Sequence, residues 1–96
     1  MKAMDMLRER RDEILAVAHR RGAYNVRVFG SVARGEDDEL SDIDILVDME
    51  KGRTLLDLGG LLMDLRDLLG CSVDVATENG LRERIRDRVT KDAVPL

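Results

Sequence analysis

Two aspartates separated by one residue, Asp42 and Asp44, open the run DIDILVDM, and a Gly-Ser step, Gly30-Ser31, stands upstream of them. Residues two apart on a strand project from the same face, roughly 7 Å apart at the backbone, so these two carboxylates converge on one volume. Oxygen-only donors suit a hard divalent cation, Mg²⁺ or Mn²⁺, rather than zinc. Asp74, in CSVDVAT, falls on the face opposite Val73 and Val75. If its strand pairs with the first, three carboxylates point into one place. Such charges share a site only with a proton or a divalent ion among them. A lone aspartate would read as a solvated strand-edge acid. Three of them beside a glycine turn read as a metal site.

The Gly30-Ser31 step directly follows the β-rich run VRVF. Glycine permits a close turn there, and backbone N–H groups at a helix start, with the Ser31 hydroxyl, form a cradle for an anion. Two familiar loops are excluded. Gly30 and Gly35 carry the glycine spacing of a P-loop, but Glu36-Asp37 stand where Lys and Ser/Thr are required. An EF-hand beginning at Asp42 would place Leu46 and Val47 where an oxygen ligand and a glycine belong. What survives is a turn that holds phosphate next to carboxylates that hold metal, the logic of metal-assisted phosphoryl or nucleotidyl transfer.

Periodicity supplies the elements that position these groups. Residues 3–21 are predicted as one helix with Leu7, Ile14 and Ala18 on its buried face, ended by Gly22. Val26 to Gly30 form the first strand, and SVARG a tight turn or a single helical turn. Asp42 to Met49 form a strand with Ile43, Ile45, Val47 and Met49 on its apolar face. A second helix over 54–69 carries the stripe Leu55, Leu58, Leu62, Leu65 and Leu69, with Gly59-Gly60 allowing a bend or close packing. Cys71 to Thr77 form the third strand. A last helix from about Leu81 repeats Leu81, Ile85 and Val89 and stops before Pro95. The order predicts an α/β (α+β) fold, a mixed sheet of three to four strands packed by about four helices.

The 96 residues suit a single domain over 1–96 with one modest core. Tyr24 and Phe29 are the only aromatics, so that core is aliphatic and offers no stacking platform for single strands. A net charge of −4 argues against a duplex-binding footprint, so no direct nucleic-acid binding is expected. The chain shows neither a signal-peptide pattern at MKAMDMLRERRDEIL nor an apolar run of about 18 residues; a cytoplasmic protein that does not engage a membrane is expected. Cys71 has no cysteine to pair with and reads as a small buried apolar residue. His19, near a helix end, reads as a cap or surface residue. The alternating Arg82, Arg84, Arg86 and Arg88 spread around a solvated helix, or face an acidic partner. The acidic spacer Glu36 to Glu39 reads as a solvated turn.

The stretch GSVARGEDDELSDIDILV resembles the signature of the polymerase-β-type nucleotidyltransferase superfamily: Gly-Ser, a turn with Arg-Gly, a spacer, then Ser-Asp-x-Asp and an apolar strand. In size the chain is similar to the minimal nucleotidyltransferase (MNT) proteins of prokaryotes. The resemblance implies that Asp42 and Asp44 bind two divalent metals, and that Asp74 is a ligand of the second metal and the base for the acceptor hydroxyl. It implies that Gly30 and Ser31 hold the triphosphate of ATP. Arg34 matches the family's turn arginine, either touching phosphate or serving as a plain surface residue. It further implies transfer of AMP from ATP to a hydroxyl on a partner protein, a HEPN toxin in a hetero-oligomer, with this chain as the antitoxin. Two other readings stay open: a non-catalytic module that neutralises its partner by contact, and a small-molecule nucleotidyltransferase completed by another subunit.

Overall fold

Three β-branched runs pair through their backbones and bury their aliphatic faces under helices. The computed structural model describes residues 2–38 and 40–96. Met1 and Glu39 lie outside the described residues, and with Glu39 part of the expected acidic turn. Among the described residues the chain runs α1 (Ala3–Glu9), α2 (Arg11–Arg20), β1 (Ala23–Phe29), α3 (Gly30–Arg34), β2 (Ile43–Met49), α4 (Leu55–Leu69), β3 (Val73–Ala76), α5 (Glu83–Asp92) and β4 (Val94–Pro95). The sheet order is β3-β2-β1-β4. β1 pairs antiparallel with β2 and with β4, and β2 pairs parallel with β3. The expected mixed α/β architecture is therefore present. No helix among the described residues is long and apolar enough to cross a membrane.

The core is aliphatic, as the composition requires. Ile43, Ile45 and Val47 of β2, Val26 and Val28 of β1 and Val73 of β3 meet Leu7, Ile14, Val17, Ala18, Val32, Leu61 and Leu65 from the helices. Fully burying one such side chain is worth about 1.5–3 kcal/mol, and these contacts fix the sheet on which the acidic residues ride. Leu46 is also fully buried, but on the opposite face of β2, in register with Arg27 and Ala76.

Several sequence expectations need correction. The helix over 3–21 is two helices broken at Arg10 (φ −101°, ψ 16°). Neither glycine nor proline causes the break. The Arg10 guanidinium donates to the Leu68 carbonyl at 2.6 Å and to Glu13 at 3.0 Å, holding the joint against the end of α4. β1 starts at Ala23 rather than Val26, because a bulge between Tyr24 and Arg27, with Asn25 at φ 50°, interrupts the alternation that would reveal it. On α4 the buried residues are Leu61 and Leu65. Leu55 is 83% exposed, in a first turn capped by Thr54 and Asp57. Gly60 leaves room for the Arg21 guanidinium, which bonds Asp64 at 2.8 Å. Cys71 is exposed rather than buried. The Leu81, Ile85, Val89 stripe buries none of its members completely. The chain also does not end with that helix: Val94-Pro95 return as a short edge strand beside β1, where a proline's missing N–H is tolerated.

Candidate active site

The free end of β1 creates the site. Phe29 is extended, and Gly30 then takes φ +73° to enter α3, a conformation that penalises any side chain. A Cβ at Gly30 would also collide with Asp44 Oδ2. Glycine is thus required twice, for the turn and for the approach of the Asp44 carboxylate to the backbone. At the other end of α3 Gly35 closes the turn at φ +72°, and the Glu36 N–H returns to the Ser31 carbonyl at 2.9 Å.

Asp44 lies on β2 between Phe29 of β1 and Asp74 of β3, directly in register with both. Asp42 sits one residue before β2, and between the two aspartates the Ile43 N–H donates to the Ser72 carbonyl at 3.0 Å. That bond ties the Asp-x-Asp segment to the entrance of β3. Asp44 is half-buried whereas Asp42 and Asp74 are exposed. Its carboxyl is pushed above the ordinary range, first by burial, then by the charges of Asp74 and Asp42, while Arg34 pulls it back. Gly30, Ser31, Asp42, Asp44 and Asp74 therefore occupy one end of the sheet.

Arg34 belongs to the same neighbourhood but is engaged: it bonds Asp92 of α5 at 3.1 Å and reaches Glu36 at 3.4 Å. Asp74 Oδ1 lies 3.8 Å from the Arg66 guanidinium. Among the described residues no three acidic, histidine or cysteine side chains form a ready metal cage. The donor set nevertheless fits a hard divalent ion. It is oxygen-only, and its central member, Asp44, is desolvated between two like charges that a cation would neutralise.

Three positioning contacts escaped the sequence reading. Arg66 faces Asp74 from the last turn of α4, eight residues upstream, and Asp92 of α5 faces Arg34 from a distant segment. Arg27 is 11% exposed and bridges Asp48 and Glu78, both at 2.9 Å. This triad ties β1 and β2 to the turn after β3. A cleft of about 600 Å³ lined by Tyr24, Asp48, Leu55, Leu58 and Glu78, and another of about 620 Å³ beside Lys2, Met6, Asp37 and Cys71, include none of Gly30, Asp44 and Asp74. Asp42 and Asp74 stand exposed at this end of the sheet.

A mixed sheet that gathers three acidic residues beside a Gly-Ser helical turn is the architecture of a nucleotidyltransferase domain. The model of the nucleotidyltransferase domain family matches residues 11–96, and the chain belongs to that family. It is 40% identical over 90 residues to MJ0435 of Methanocaldococcus jannaschii, provisionally named a protein adenylyltransferase, covering 94% of this chain and 97% of that one. It is 37% identical to the protein adenylyltransferase MntA of Thermococcus cleftensis over 97 residues, covering 95% and 98%. A solved structure provisionally described as a minimal nucleotidyltransferase superposes with a TM-score of 0.86 at 52% identity, covering 96% and 94%. A chain of a toxin-antitoxin structure with AMP-PNP superposes at 0.74 with 20% identity, covering 88% of this chain and 69% of that one. At that identity the likeness is one of fold.

Proposed function

We propose that this protein moves AMP from ATP onto a hydroxyl of a partner protein, releasing pyrophosphate, and serves as the antitoxin of a toxin of the HEPN type. The observation that carries the reading is the in-register pairing of Asp44 with Asp74, with Asp42 two residues ahead, at the mouth of the Gly30 turn. The named adenylyltransferase relatives, matched over nearly their full length, support the reaction class. The likeness to a chain from a toxin-antitoxin structure supports a protein partner.

In this reading the α3 backbone at Gly30-Ser31 holds the triphosphate, and Asp42 and Asp44 hold Mg²⁺, or Mn²⁺ in its place. The bound ion would neutralise phosphate charge and steady the leaving pyrophosphate. Asp74, which would also be a ligand of a second ion, takes the proton of the acceptor hydroxyl as the hydroxyl oxygen bonds to the α-phosphorus and the bond to pyrophosphate breaks. Arg34, held by Asp92 within influence of Asp44, lies where it can meet phosphate charge. The partner supplies the acceptor geometry.

Incubation of the co-purified pair with ATP and Mg²⁺, followed by intact-mass measurement, tests this. The partner gains one or more AMP units, and Asp42→Asn abolishes the gain together with most Mg²⁺-dependent nucleotide binding. Asp74→Asn lowers turnover roughly a hundredfold or more yet retains ATP binding through Asp42, Asp44 and the Gly30 turn. A partner of unchanged mass, although the wild-type chain suppresses its toxicity, would replace transfer with neutralisation by contact.

A further inference from the structure

β3 is one of the two edge strands of the sheet and, among the described residues, is paired only with β2. The Ser72 carbonyl faces β2, where it accepts from Ile43 N–H at 3.0 Å. Backbone groups alternate sides along a strand, so the Val73 carbonyl turns to the free edge, where unpaired groups are a liability. Arg66, in the last turn of α4, donates Nε–H to that carbonyl at 3.1 Å. Another nitrogen of the same guanidinium, Nη2, lies 3.8 Å from Asp74 Oδ1. The Arg66 backbone is fixed in turn, because its carbonyl accepts from Gly70 N–H at 2.8 Å as the chain leaves α4 for β3.

We propose that Arg66 is the positioning residue of Asp74: it occupies the free edge as a neighbouring strand would and restrains the adjacent carboxylate for its ligand role. The inference rests on the reading of Asp74 as a metal ligand. The planar, forked guanidinium can hold the edge carbonyl and face the carboxylate together, whereas a lysine ammonium is a single point. Arg66→Lys therefore keeps the charge and loses the bridge. It is a cleaner probe than an uncharged substitution, in which lost orientation and lost repulsion of the metal would oppose each other.

The test is a double-mutant cycle on the full-length chain with Mn²⁺ alone as the probe, read by paramagnetic resonance. In parallel, three-bond couplings report the Asp74 χ1 rotamer in metal-free protein. Arg66→Lys weakens Mn²⁺ binding about tenfold, the scale of losing a group that orients a metal ligand. It also changes the Asp74 couplings from one rotamer to an average, while in the Asp74→Asn background the same substitution alters Mn²⁺ affinity less than about twofold. Wild-type affinity and a single Asp74 rotamer in Arg66→Lys overturn the proposal. Equal weakening in both backgrounds overturns it too, since Arg66 would then act independently of Asp74. If Asp74→Asn alone leaves Mn²⁺ affinity at the wild-type level, the ligand reading of Asp74 fails first and carries this proposal down with it.

Discussion

Asp44 is the residue at which the demands of the fold and of the proposed function conflict. Burial and the neighbouring Asp74 and Asp42 raise its pKa in the folded chain, so the folded state holds a proton that the unfolded state releases. Stability therefore falls as pH rises from the ordinary carboxylate value through the raised one, and the full penalty is present above the raised value. Asp44→Asn removes that penalty. In thermal melts without divalent ions, the variant should match or exceed the wild type at neutral pH and lose its advantage in acid. A lower melting temperature at neutral pH would mean that Asp44 supports the fold. Gly30 answers to the same geometry. Gly30→Ala carries the left-handed backbone penalty of about 1–2 kcal/mol and also displaces the Asp44 carboxylate. Gly35→Ala meets the same backbone penalty in open space. Both variants should lower stability in a denaturant titration, but only Gly30→Ala should also weaken Mn²⁺ binding.

Elements were legible where a local pattern and tertiary burial agreed. The alternation of Ile43, Ile45 and Val47 revealed β2, and the positions of Asp44 and Asp74 followed from the period of a strand. The in-register pairing of β2 with β3 was stated only as a condition, because register depends on contacts across the sheet. The stripe on α4 was misplaced in part, for a related reason. Leu65 is buried and Leu58 and Leu69 pack against the core, but Leu55 does not. Leucines surround that helix at 55, 56, 58, 61, 62, 65, 68 and 69, so spacing alone fits more than one face. Packing against the sheet selects Leu61 and Leu65 and leaves Leu55 and Leu56 in solvent. Leu61→Ala should accordingly cost about 2–5 kcal/mol, whereas Leu55→Ala should stay within about 0.5 kcal/mol of wild type; equilibrium unfolding in urea separates the two. The Arg10 break and the β4 return depend on partners far along the chain, and no window of sequence contains both halves. The Arg66 bridge spans only seven or eight residues, but it depends on how the chain turns from α4 into β3.

At the scale of the molecule, the exposed Asp42 and Asp74 side chains and the lining of the two large clefts matter together. Neither cleft is lined by Gly30, Asp44 or Asp74, so in the proposed transfer neither would orient an acceptor at those residues. Orientation accounts for much of the rate in a bimolecular transfer, and effective molarities in well-positioned systems reach about 10⁵ M or more. If the partner's fold supplies that orientation, its hydroxyl is reactive only while the folded partner is docked. With labelled ATP and Mg²⁺, the native partner in complex should accept label. The same partner after irreversible unfolding, and free tyrosine, serine or threonine at millimolar concentration, should accept none above background. Labelling of a free amino acid at a rate comparable to the native partner would show that this surface binds its own acceptor, and a small-molecule nucleotidyltransferase would then be the better description. Equal labelling of native and unfolded partner would instead place recognition in a short linear segment around the hydroxyl, leaving the proposed transfer chemistry at Asp42, Asp44 and Asp74 standing but removing the docked fold from it.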